Sequence, residues 1–117
     1  MDFATAVRSC LNKYVTFAGR AQRSEFWWFL LFTMIANTVA VAIDAAVIGM
    51  PAIQILTMLG LILPGISVAV RRLHDLGRSG WFYWIGLIPL VGVIVLIYWF
   101  VTRGTVGSNE YGPDPLT

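Results

Sequence analysis

FWWFLLFTMIANTVAVAIDAAVI, residues 26–48, contains no lysine or arginine and a single acid, Asp44. As a helix it is roughly 34 Å long, slightly more than the ~30 Å hydrocarbon thickness of a bilayer. Its opening Phe26-Trp27-Trp28-Phe29 is an aromatic belt of the kind that favours a membrane–water boundary. The stretch therefore reads as a membrane-crossing helix. Asn37 falls mid-span, and Asp44 lies near the far end, where a charge can reach water.

The rest of the chain is of the same character. Apolar residues make up 58% of the 117 and charged residues 12%, against about 25% charged in ordinary soluble domains. A second apolar stretch, 52–70, follows the short turn at Gly49, Met50 and Pro51. Pro64 inside it removes a backbone donor, and the carbonyl it frees needs a partner, so this kink should face protein rather than lipid. A third, 81–101, carries aromatic groups at both ends and Gly86, Pro89 and Gly92 between them, with a kink expected at Pro89.

Ahead of the first span, residues 1–18 read as an amphipathic helix. Phe3, Ala6, Val7, Cys10, Leu11, Tyr14 and Phe17 recur at three- and four-residue steps on one face. Such a helix can lie in the headgroup boundary or pack on the protein's own helices. Gly19 suits a helix end and Ser24 a helix start. The expected fold is an all-α membrane protein, one domain over 1–117. It comprises an interfacial amphipathic helix (1–18), three transmembrane helices (26–48, 52–70, 81–101) and a polar, irregular tail (102–117). The first residues lack a basic start and apolar run, so no cleavable signal is expected, and the first span should remain as an anchor.

Three crossings put the amino terminus and the 71–80 break on one side. That side holds Arg8, Lys13, Arg20, Arg23, Arg71, Arg72 and Arg78, and the other holds only Arg103. The bias predicts a cytoplasmic amino terminus and an outward-facing tail. The alternative is that 26–51 or 52–70 fails to cross fully, which would bring the tail back to the cytoplasm.

The chemically interesting residues gather in two polar breaks: Arg20, Arg23 and Glu25 in one, Arg71, Arg72, His74, Asp75 and Arg78 in the other. Arg71 and Asp75 can pair along a helix. Glu25 has the depth to meet Arg71 or Arg72 through charge-assisted bonds. Gly77 can end the second span and Ser79 can cap the third. Five arginines face two carboxylates here, so some must find phosphate or water. Anionic headgroups are the nearest anions, at ~1 kcal/mol per basic residue.

Catalytic parts are lacking. His74 is the only histidine, which excludes a multi-histidine metal cluster. It adjoins Asp75 in sequence, and helix neighbours do not face each other. The lone Cys10 cannot form an internal disulfide and reads as a small apolar helix residue. No cofactor is expected, and a net charge of +2 gives no reason to expect nucleic acid. The expected role is a non-enzymatic membrane component. It would bind anionic lipid headgroups or a protein partner through an arginine-rich cytoplasmic collar, with homo-oligomer formation a further option. The alternative is an oligomeric transporter or channel subunit, suggested by Asn37, Asp44 and Gln54.

Four blocks carry a resemblance over nearly the whole chain. They are Gly19-Arg20-Ala21-Gln22-Arg23-Ser24-Glu25-Phe26-Trp27, then Arg71-Arg72-Leu73-His74-Asp75-Leu76-Gly77-Arg78-Ser79-Gly80-Trp81, then Ile88-Pro89-Leu90-Val91-Gly92, then Gly107-Ser108-Asn109-Glu110-Tyr111-Gly112-Pro113-Asp114-Pro115. In that order they resemble the bacterial inner-membrane family catalogued as domain of unknown function 805. Leu76-Gly77 departs slightly from the family's usual residues. The resemblance implies a small integral protein of the cytoplasmic membrane with no assigned catalytic residues. It also implies that the carboxy-terminal block is a shaped element.

Overall fold

A computed structural model describes residues 1–116; residue 117, the end of the expected tail, lies outside the described residues. The chain forms α1 (Phe3–Asn12), α2 (Arg23–Ile43), a π-helical turn (Asp44–Ile48), α3 (Ala52–Asp75), a 3-10 helix (Gly80–Leu87) and α4 (Val91–Val101). Two continuous helices, Arg23–Ile48 and Ala52–Asp75, are long and apolar enough to cross a membrane. They form an antiparallel hairpin whose lipid-length faces expose Met34, Ile35, Val39, Ile55, Leu56 and Leu59.

The far turn is tied by Asp44. Its carboxylate is 5% exposed and accepts from the backbone N–H groups of Ile53 and Gln54, both at 2.9 Å. These are orphan donors of α3's first turn, and the helix dipole adds to the attraction. Asp44 was expected to reach water; it instead closes the hairpin. At the other end, α2 begins at Arg23 with Gln22 as its cap residue and no side-chain cap bond, so Ser24 does not have the capping role its position suggested.

The α1 helix is shorter than the expected 1–18. Asp2 caps it by accepting from Thr5 N–H at 2.8 Å. It packs on α2 through Phe3, whose ring lies 5.8 Å from Trp28 and 6.3 Å from Phe32. Pro64 cannot donate to the carbonyl of Gly60, and the Tyr14 hydroxyl donates to that carbonyl instead. The expectation that Pro64 faces protein therefore holds: the residue is buried, and a tyrosine from the segment after α1 repairs the helix.

The third expected span is corrected. Residues 81–101 are not one helix. The 3-10 segment and α4 are joined by a reversal at Ile88–Leu90 and lie against each other. Leu90 has φ 64 and ψ −62, and Val91 N–H bonds back to Pro89 O at 2.7 Å. That is a γ-turn with a positive central φ, a strained type. Close packing of the arms depends on glycine: a Cβ on Gly92 would stand 1.8 Å from Ile85 O. Each arm is roughly 16 Å long, about half the thickness of a bilayer core. The segment also ends where it starts. A Cβ on Gly80 would touch Val70 of α3 at 2.6 Å, while Phe100 O accepts from Arg72 of the same helix end. Apolar Leu87 and Leu90 are exposed at the tip. The shape is a short helical hairpin whose two ends meet at the collar end of α3.

Candidate functional site

Both polar breaks converge at this end of the helix pair, around α3's last turn. Arg71, Arg72 and Asp75 project from that turn, Arg20 comes from the α1–α2 linker, and Glu25 from the first turn of α2. Gly77, at φ 76, ends α3 in the left-handed region, and Ser79 Oγ accepts from Trp81 N–H, as the sequence suggested. The linker is seated by Ala21 N–H donating to Arg71 O at 3.0 Å.

Glu25 is 3% exposed. Its Oε1 accepts from Arg71 Nη1 at 2.6 Å and Ser9 Oγ at 3.1 Å, with Cys10 Sγ at 3.7 Å. Asp75 takes two arginines, Arg20 Nε at 2.9 Å and Arg72 Nη1 at 2.6 Å. The expected Arg71–Asp75 pair is thus replaced by Arg71–Glu25 and Arg72–Asp75. The remaining guanidinium donors turn to backbone carbonyls. Arg20 reaches Gly107 O at 2.6 Å, Gly112 O at 3.2 Å and Thr105 O at 2.5 Å. Arg72 reaches Phe100 O, Ala21 O and Thr102 O.

The charge balance therefore differs from the sequence-based count. The side chains of Arg20, Arg71 and Arg72 are 1%, 0% and 0% exposed and face the chain's own atoms, not headgroups. Arg23 and Arg78 remain exposed. Arg23 donates to Val101 O at 3.1 Å, and Arg78 lies 4.4 Å above the Trp99 ring. His74 Nδ1 is 3.0 Å from Gly19 O, so that nitrogen carries the proton, and its ring stacks on Tyr111 at 4.0 Å.

The tail was expected to lie on the opposite side, irregular and water-exposed. It instead docks on this collar. Thr105 N–H donates to Asp75 O at 2.7 Å and Asn109 Nδ2 to His74 O at 2.9 Å. A Cβ on Gly104 would fall 2.0 Å from Asp75 Oδ2, so only glycine passes there. Asp114 shapes the loop by accepting from Leu116 and Gly107 N–H groups, bonds that hold its carboxyl below the usual range. Sequence reasoning missed Gly104, Thr105, Asn109 and Tyr111 as collar residues; for Asn109 and Tyr111 the one signal was the carboxy-terminal block's standing as a family motif, and Gly104 and Thr105 had none.

The comparisons bear on this arrangement directly. A family model described as "Protein of unknown function (DUF805)" matches residues 14–113, a range holding both polar breaks and the tail block as far as Pro113. The chain belongs to the DUF805 family. Inner membrane protein YhaI of Escherichia coli K12 is 41% identical over 108 residues, covering 92% of each chain. Inner membrane protein YhaH of the same strain is 39% identical over 111 residues, covering 90% of this chain and 91% of that one. No solved structure matches. The DUF805 relatives place this chain among inner-membrane proteins of bacteria, and their names assign no activity.

Proposed function

We propose that this DUF805 protein is a non-enzymatic component of the bacterial cytoplasmic membrane, held by two crossing helices and a re-entrant hairpin, with a basic cytoplasmic face that engages anionic lipid headgroups. The observation that carries the reading is how the cations divide. Three arginines are buried and committed to internal carboxylates and carbonyls, which fasten the tail and hairpin to the helix pair. Arg8, Lys13, Arg23, Arg78 and Arg103 stay exposed. With the tail docked at the collar, all eight basic residues belong to the same end of the molecule, which favours a cytoplasmic amino terminus and a cytoplasmic tail.

The same geometry argues against chemistry at the collar. Asp75 is bonded by arginine on both oxygens, Glu25 is buried against Arg71, Ser9 and Cys10, and the His74 ring is pinned by Gly19 and Tyr111. Each exposed cation near anionic lipid contributes about 1 kcal/mol. Replacing Arg8, Lys13, Arg78 and Arg103 together with glutamine should cut the phosphatidylglycerol that co-purifies with the protein severalfold, read by native mass spectrometry. Unchanged phosphatidylglycerol would contradict the reading. Arg72→Glu is not a suitable probe, because it sets a second buried carboxylate beside Asp75 and reports folding.

The transporter-subunit alternative has one observation behind it. Asn37 Oδ1 is buried without a partner among the described residues, beside a cleft of about 410 Å³ between α2 and α3. A monomer in detergent, unchanged by Asn37→Leu, would remove that alternative.

A further inference from the structure

A second cleft, of about 510 Å³, opens on the side of α3 away from α2's collar contacts, between α3, the 3-10 arm and Phe17 of the linker. Ile66, Val70 and His74 form its back wall. They are spaced by four and so make one stripe along α3, rising about 12 Å from apolar to polar. Trp81 and Trp84 form the front wall, 79% and 51% exposed. Ser79 sits at the rim, and its oxygen already accepts from Trp81 N–H, which leaves the hydroxyl proton to be donated outward.

The rim is donor-rich. The Ser79 hydroxyl and the two indole N–H groups have no acceptor among the described residues, and no carboxylate lines the cleft. It offers hydrogen bonds to a phosphate and no formal negative charge to pair with an ammonium group. The floor, Ile66 and Val70, is suited to hydrocarbon. Indole rings prefer the depth where headgroup meets acyl chain, so this gradient sits at the height of a lipid's glycerol backbone.

We infer that this cleft binds one anionic glycerophospholipid, phosphate at Ser79 and the tryptophan N–H groups and the upper part of one acyl chain along Val70 and Ile66. The volume admits a glycerophosphate and part of a chain, in the usual range for ligand clefts. This site rests on the reading of the exposed basic end as facing the anionic leaflet, and adds to it a single stoichiometric position.

The test uses the full chain in vesicles of phosphatidylglycerol and phosphatidylcholine, extracted into mild detergent and weighed intact. The wild type should keep one phosphatidylglycerol after washing has removed loosely held lipid. Ile66→Trp, which fills the floor, should lower that occupancy at least threefold. Trp81→Ala, at a position too exposed to threaten the fold, should do the same, with unchanged thermal unfolding as the control. The fourfold glutamine variant at Arg8, Lys13, Arg78 and Arg103 should lose loosely held lipid and keep the single one. Equal retention in the two cleft variants, no one-to-one lipid in the wild type, or phosphatidylcholine retained as readily would overturn the site. Loose lipid undiminished in the fourfold variant, with the single lipid still lost on Trp81→Ala, would overturn the basic-face reading and leave the cleft standing.

Discussion

Arg71 is fully buried, yet only Nη1 of its guanidinium reaches a carboxylate; Nε and Nη2 have no partner among the described residues. A buried ion pair left part-satisfied is weak as a source of stability, because desolvation of both charges offsets most of the attraction. Removing one member is worse, since it strands the other. Glu25→Gln should therefore destabilise the protein by about 3–5 kcal/mol, while the joint replacement Arg71→Met with Glu25→Leu should be near neutral or stabilising. Unfolding in detergent of the wild type and these two variants measures both. Beside the pair, burial foremost and the Glu25 charge next push the Cys10 thiol up to about 12. At pH 8 the thiolate is then almost absent, and the sulfur is shielded. Folded protein should resist alkylation by a maleimide and react fully once denatured; rapid labelling of the folded form would contradict this packing.

At the scale of elements, the short helical hairpin depends on two residues beside Pro89. Leu90 occupies a strained positive-φ conformation that costs an L-residue about 1–3 kcal/mol, so Leu90→Gly should raise stability by up to that amount. Gly92→Ala should do the opposite, since its Cβ would collide with Ile85 O and force the arms apart. Limited proteolysis between residues 86 and 92, in detergent, should be faster for Gly92→Ala and slower or unchanged for Leu90→Gly. This element also marks where the sequence was hard to read. Residues 26–48 and 52–70 were legible because apolar length specifies a spanning helix almost alone. Residues 81–101 pass the same length test, and the Gly86-Pro89-Gly92 spacing predicted only a kink. Nothing in hydropathy reports that Leu90 reverses the chain, because that follows from close backbone contact between arms. The collar was legible as charge: Glu25 meets Arg71 as its depth suggested. The partners that complete it were not, since carbonyls of Thr105, Gly107 and Gly112 carry no sequence signal.

For the molecule as a whole, the reversal decides which end holds the tail. Three crossings would set the tail on the same side as the 49–51 turn. The hairpin and the Arg20 contacts set it at the opposite end, with the linker and every basic residue. The consequence extends to function, because a tail docked at the collar makes one continuous basic end instead of two separate loops. The most direct test is the sidedness of two single cysteines in a Cys10→Ala background, Met50→Cys in the exposed turn and Ser108→Cys in the exposed tail. A membrane-impermeant maleimide applied to intact cells and to inverted vesicles should label them from opposite sides, Met50→Cys from outside and Ser108→Cys from the cytoplasm. Labelling of both from the same side would restore the third crossing and contradict the re-entrant hairpin.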